Sequence, residues 1–191
     1  MDPNPNDVIV QKLVPFIQDV YALENQIVST LEAHAEEARD FPAVQAKILE
    51  HLEQTKQHRE RMAQRLHAHG QHPSAVKDAL SGVLGNMLGA VSALRPDTLA
   101  RNARDEYVTE HLEIAGYTLL ITVARALGDA ATVQAAELNL RDEIAMQAWL
   151  LQHLPEACIE ALQEEGVNLP PGAWQATQPP PADPGASHAA R

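Results

Sequence analysis

The stretch Leu13-Val14-Pro15-Phe16-Ile17-Gln18-Asp19-Val20-Tyr21-Ala22-Leu23-Glu24-Asn25-Gln26-Ile27-Val28-Ser29-Thr30-Leu31 decides how this chain folds. Apolar side chains recur at Leu13, Ile17, Val20, Ile27 and Leu31 in steps that keep one face of an α-helix. Glu24 falls on the same face, between Val20 and Ile27. The spacing predicts a first helix, capped by Asn6 or Asp7 and running to about residue 38. Pro15 lies about two turns inside it, so the helix either begins there or kinks.

Working outward, Asp40-Phe41-Pro42 reads as cap, connection and first-turn proline of a second helix that ends at Gly70. Its stripe is Val44, Ile48, Leu52, Met62 and Leu66. A third helix is predicted after Arg95-Pro96-Asp97, running through Leu112, Ala115, Leu119 and Val123 to Gly128. A fourth starts near Asp129 and passes Ala136, Leu140, Leu150 and Leu154 until Pro155, with a short helix over 157–165 beyond it. Four long amphipathic helices make a bundle the natural architecture.

The connections set its topology. Helices one and two, and helices three and four, are joined by so few residues that each pair must be an antiparallel hairpin. Residues 71–97 lie between the pairs and are long enough to return along the bundle. The expectation is therefore an all-α, ferritin-like four-helix bundle, two antiparallel hairpins joined by a long, partly helical crossover. The crossover holds its own apolar segment, 76–94, with Gly82, Gly85 and Gly89 at helix-like spacing. The bundle is assigned to residues 1–165. Residues 166–191 form a Pro/Ala-rich tail with no helical or strand period, expected to be disordered or polyproline-like. Trp174 is the one residue of that tail suited to docking.

Composition narrows the function. The chain has 191 residues, 14 Lys and Arg and 26 Asp and Glu, for a net charge of −12. That balance disfavours nucleic acid, whose phosphates need Lys and Arg, and equally an anionic membrane surface. No apolar run approaches the roughly 20 residues of a bilayer span; Arg125 interrupts the best candidate. The first residues lack the basic and apolar regions of a signal peptide. One cysteine, Cys158, excludes an intrachain disulfide. A cytoplasmic location is expected.

The chemistry lies in misplaced charges. Glu24 points into the bundle, where an ionised carboxylate costs several kcal/mol unless it is paired or bound to a metal. The fourth helix repeats the anomaly: Ala136, Leu140, Glu143, Gln147, Leu150 and Leu154 share one face, with Glu143 near the middle. The third carries Glu110, Glu113 and Tyr117 on one face, within Glu110-His111-Leu112-Glu113-Ile114-Ala115-Gly116-Tyr117. In the second, the apolar stripe is interrupted over His51-Leu52-Glu53-Gln54-Thr55-Lys56-Gln57-His58, at a matching level. One inward Glu from each of four helices is how ferritin-like bundles hold two metal ions, with imidazole completing the shell.

Four segments also resemble a family. Asp19-Val20-Tyr21-Ala22-Leu23-Glu24-Asn25-Gln26, His51-Leu52-Glu53-Gln54-Thr55, Glu110-His111-Leu112-Glu113-Ile114-Ala115-Gly116-Tyr117 and Leu140-Arg141-Asp142-Glu143 are similar, in order and on the corresponding helices, to the YciE/YciF-like branch of the ferritin-like superfamily. The resemblance spans about residues 8–154. It implies a four-helix ferritin-like fold, a homodimer, a role linked to stress response and a di-metal site. By position, it carries Glu24, Glu53, Glu113 and Glu143 over as the acidic ligands.

The sequence departs from the wider superfamily, whose iron-oxidising members carry Glu-x-x-His on the second and fourth helices. Lys56 follows Glu53 by three residues and Met146 follows Glu143 by three, so neither supplies the imidazole. His58, His111 and Glu110 complete the candidate ligand set; His58 lies well round the helix from Glu53, whereas His51 and His111 are nearer in level, with a facing the period does not fix to within one position. Ligation by carboxylates alone would favour manganese or loosely held iron. The alternative is that Lys56 or Arg59 neutralises the glutamates as a buried salt-bridge cluster. Tyr21 and Tyr117 are candidates to stand beside the centre. His67, His69 and His72 read as favourable charges at a helix C-terminus or, less simply, as a surface metal site. Cys158 has acidic neighbours in Glu156 and Glu160 and makes a poor nucleophile. Two functions follow as expectations: a di-iron or di-manganese protein with oxidase or peroxide-handling activity, or a metal-free structural bundle that dimerises.

Overall fold

A computed structural model describes residues 5–73 and 98–172. The crossover segment 76–94 with its glycines, and Trp174 with most of the tail, lie outside the described residues. Among the described residues the chain is all helical: α1 Pro5–Lys12, α2 Val14–Glu37, α3 Pro42–Ala68, α4 Thr98–Ala126 and α5 Ala130–Glu164. No described helix is long and apolar enough to cross a membrane.

The first predicted helix is divided. It begins at Pro5, ahead of the expected caps, and breaks at Leu13. Pro15 offers no N–H to the turn before it, and the chain tightens there instead, Phe16 N donating to Leu13 O at 3.0 Å. The fourth helix departs the other way. Pro155 does not end α5, which runs on to Glu164. The carbonyl that Pro155 leaves unbonded belongs to Leu151, on the exposed side, while Ala157 and Ala161 anchor the last turns in the interior.

α2 packs on α3 and α4 on α5 as two hairpins, and these meet across α2–α4 and α3–α5. Residues 38–41 make the first turn. Phe41, not Asp40, takes the N-cap position of α3 and offers no side-chain cap bond. The turn is tied instead by Gln45 Nε2, which donates to Ala35 O at 2.9 Å. Two glycines are required by backbone geometry. Gly70 closes α3 at φ +70° and Gly128 closes α4 at φ +75°; Gln71 N then reaches Leu66 O, and Asp129 N reaches Ala124 O, at 2.9 Å each. Asp129 at once caps α5, accepting from Thr132 N at 3.0 Å. It also receives Arg65 NH2 at 3.2 Å and His69 Nε2 at 2.8 Å, which pins the end of α3 to the start of α5.

Two apolar clusters fill the bundle. Leu13, Ile17, Val20, Met62, Leu66, Leu120, Ile121 and Ala124 pack at one end. Leu23, Ile27, Leu31, Ile48, Leu52, Leu99 and Ala157 pack toward the other. The predicted stripes of α2 and α3 supply both. The stripe predicted for α4 does not: Leu112 and Leu119 stay 39% and 55% exposed. The interior face of α4 is Glu113, Tyr117, Leu120, Ile121 and Ala124. On α5 the buried line is Ala136, Asn139, Glu143, Met146 and Leu150, with Leu140 and Gln147 only half-buried.

Candidate metal centre

Between the two apolar clusters the bundle is acidic. Glu24 comes from α2, Glu110 and Glu113 from α4 and Glu143 from α5; α3 contributes His51 and His58, and all six side chains are essentially inaccessible to solvent. Each sits there because it continues a buried helical line: on α3, Ile48, His51, Thr55, His58, Met62 and Leu66 succeed one another in steps of three or four.

The six converge into two overlapping groups that share Glu143. One is Glu24, His58 and Glu143; the other is His51, Glu110, Glu113 and Glu143, with donor atoms in each mutually within 4.8 Å. His51 Nε2 is 3.0 Å from Glu110 Oε1 and 3.6 Å from Glu143 Oε2. His58 Nδ1 is 2.7 Å from Glu143 Oε1 and 3.7 Å from Glu24 Oε1. The remaining ring nitrogens point away, to neutral or acidic oxygens. His51 Nδ1 lies 3.3 Å from Gln54 Oε1, and His58 Nε2 lies 3.0 Å from Asp142 Oδ2. With N–H donated outward on both rings, both inward nitrogens carry lone pairs aimed at carboxylates.

Such an arrangement needs positive charge. Glu24 Oε2, His51 Nε2, His58 Nδ1, Glu110 Oε2 and both oxygens of Glu113 and Glu143 are buried without a properly aligned hydrogen bond. Among the described residues, the sole other atom in that condition is Glu160 Oε2, at the far end of α5. Four carboxylates with two neutral imidazoles carry −4, the charge that two divalent cations balance. Without a cation the cluster must hold protons. Burial, then the charges of Glu143 and its neighbours, drive Glu24 and Glu113 well above the carboxylate range. Burial pushes Glu110 up to about 8 despite His51 beside it. Burial opposes charge on His51, but Glu110 and Glu143 outweigh it and raise the ring to about 9. His58 is raised in the same way by Glu143, Glu24 and Asp142.

A second layer holds Glu24. The Tyr117 hydroxyl donates to Glu24 Oε1 and accepts from Asn139 Nδ2 at 2.8 Å. Arg61 NH1 donates to Asn139 Oδ1 at 2.7 Å, which fixes the orientation of the amide. Tyr21, the other tyrosine considered, is half-buried beside the apolar cluster and outside this network.

Of the residues expected from sequence, the fold brings together Glu24, Glu110, Glu113, Glu143 and His58. It does not bring in Glu53 or His111. Glu53 is 68% exposed and pairs with Lys56 at 2.9 Å. His111 is exposed, its ring bonded to Tyr107 O at 2.8 Å. A helix turns about 100° per residue, so Glu53 cannot share a face with both His51 and His58. The interruption in α3 is real, but imidazoles fill it. Lys56 also reaches Glu32 on the surface at 3.7 Å, which removes it as an internal counter-charge. The sequence puts His51 at the right level without fixing its facing, and gives no sign of Thr55, Gln54, Asn139, Arg61 or Asp142. The stripe from Ile48 to Leu66, extended through polar residues, turns His51, Thr55 and His58 inward; the others carry no periodic signal. Thr55 stands where a Glu-x-x-His motif ending at His58 would place its acid, and Met146 where one beginning at Glu143 would place its imidazole.

The bundle and its buried carboxylate–imidazole cluster define a ferritin-like helical protein. Residues 10–163 match the family described as domain of unknown function (DUF892), and the chain belongs to that family. A protein of Xanthomonas campestris pv. campestris is similar in structure, with TM-score 0.68 and 26% identity over 82% of this chain and 98% of that one. YcfI of Rhodopseudomonas palustris matches with TM-score 0.60 and 29% identity, over 78% and 93% of the two chains. The E. coli stress protein YciF shares the fold, with TM-score 0.62 and 21% identity over 85% and 99%.

Proposed function

We propose that this protein binds a pair of divalent cations, iron or manganese, at the Glu24–His58–Glu143 and His51–Glu110–Glu113–Glu143 groups. One observation carries the reading: eight buried, unpartnered donor atoms from four helices converge on one place. Hard carboxylate oxygens with one imidazole in each group suit iron and manganese, and no cysteine lies among them. Bound ions of this kind supply electron transfer to an oxidant such as peroxide or dioxygen. The chain's own part is to keep Glu24, Glu110, Glu113 and Glu143 close and dry, to hold both imidazoles with their lone pairs inward, and to steady Glu24 through Tyr117. The E. coli relative is described as a stress protein, and a stress-linked, cytoplasmic role fits this reading. A homodimer is supported by Val108, Leu112 and Leu119, which leave apolar surface 39–55% exposed along α4.

The test is metal analysis of protein purified without chelator, with melting measured in Fe(II) or Mn(II). The parent is expected to retain metal and to melt higher with it, and the Glu24→Ala/Glu143→Ala double variant to do neither. Equal uptake by both proteins would overturn the assignment.

A further inference from the structure

We propose that the two halves of the centre load in a fixed order: the His51–Glu110–Glu113–Glu143 half takes the first cation and the Glu24–His58 half the second. This rests on the di-metal reading above and adds a stable, singly loaded state to it.

The halves differ in charge. The first offers three carboxylates and an imidazole, with Glu110 Oε2 and both oxygens of Glu113 open and Glu143 Oε2 turned to its side. The second offers Glu24, His58 and the Glu143 that both halves share. Cation affinity rises with the number of charged donors and the rigidity of the site.

They differ also in how many carboxylate oxygens stand open to a cation. Arg61 can only donate, so it holds Asn139 by its oxygen; the amide NH2 must then donate to the Tyr117 oxygen, and the phenol's own proton can go only to Glu24. Glu24 therefore presents one free oxygen, Oε2, to a cation. No such bond constrains Glu113. A cation already lying against Glu143 further reduces the pull on a second one. Asp142 behind His58 acts the other way, making that ring a stronger donor than His51 with the neutral Gln54 behind it. An outer partner of this kind is worth about 10- to 100-fold in affinity, and a carboxylate in direct contact with the ion counts for more.

The experiment titrates the full metal-free chain with Co(II), followed by calorimetry and visible absorption. Two steps separated by about tenfold or more are expected. Glu110→Gln should weaken the first step and bring the two together; should that variant fail to fold, Glu113→Gln reads the same step. Because the hydroxyl also steadies Glu24, Tyr117→Phe should weaken the second step by about tenfold and leave the first unchanged. Asn139→Leu should do the same, with no further loss in the double variant, because it acts through the same hydroxyl. A single merged step in the parent, or a Tyr117→Phe effect on the first step, would overturn the order while leaving metal binding intact. A parent that takes up no Co(II) would remove the di-metal reading itself.

Discussion

His58 of α3 faces Glu143 of α5 with Nδ1 2.7 Å from Oε1, while its Nε2 is turned to Asp142 at 3.0 Å. That relationship joins the two hairpins at the level of the acidic cluster. It also leaves an imidazole lone pair against a carboxylate unless a proton or a metal ion lies between them.

Neither oxygen of Glu113 has a hydrogen bond, and burial with the charges of Glu143, Glu24 and Glu110 holds its carboxyl well above the usual range. Glu113→Gln removes the cost of protonating a deeply buried acid, and the metal-free protein should gain on the order of 1–3 kcal/mol. The same variant should lose most of the stabilisation that Mn(II) gives the parent. Urea melts with and without Mn(II) check both halves of this statement.

The helical phase of α3 predicts a contrast. His51→Ala should weaken Mn(II) binding at least tenfold, since the ring lies inside the cluster. Glu53→Gln and His111→Ala, on exposed side chains, should leave binding within error. Calorimetric titration of the three variants separates the outcomes.

Stability should depend on pH in an unusual direction. Between its ordinary value of 4.5 and about 8, Glu110 keeps a proton in the folded chain that the unfolded chain has released. His51, raised from 6.5 to about 9, contributes stability that is complete below 6.5 and lost as pH rises through 9. Both signs agree. The metal-free protein should become less stable as pH rises from about 4.5 to about 9, by about 1.4 kcal/mol per pH unit wherever the folded chain holds one proton more than the unfolded chain. Saturating Mn(II) should flatten or reverse the slope, because the ion replaces the protons. Thermal melts across that range decide it.

Asp129 is an acid of the opposite kind. Its burial is outweighed by hydrogen bonds from Thr132 and by His69 and Arg65, and its carboxyl is lowered to about 2. Asp129→Ala removes the cap of α5 and the tie to α3, and should cost about 1–2 kcal/mol, or roughly 2–8 °C in melting temperature. Metal affinity should be unchanged, since Asp129 stands at the end of the bundle. Differential scanning calorimetry with a parallel Mn(II) titration checks the pair.

Much of the site was legible in sequence where a polar residue interrupts an otherwise apolar line. Glu24 between Val20 and Ile27 is the clearest case, and Glu143 on α5 follows the same logic although the line around it proved to be Asn139 and Met146, not Leu140 and Gln147. On α4 the apolar side chains form a second line, Leu112 and Leu119, which competes with the true interior face. Nothing in local period distinguishes the two. On α3, Glu53 has the right chemistry and the wrong phase.

By itself the sequence determined the four long amphipathic segments, their pairing into hairpins through turns too short for any other path, and the presence of carboxylates at mid-height on α2 and α5. Tertiary packing decided which face of α4 turns inward, that α3 gives imidazoles in place of a carboxylate, and that Arg61, Asn139 and Tyr117 line up on Glu24. The reason is geometric. Backbone periodicity fixes side chains relative to their own helix axis, whereas the rotation of each helix about that axis is settled by the packing of all four together.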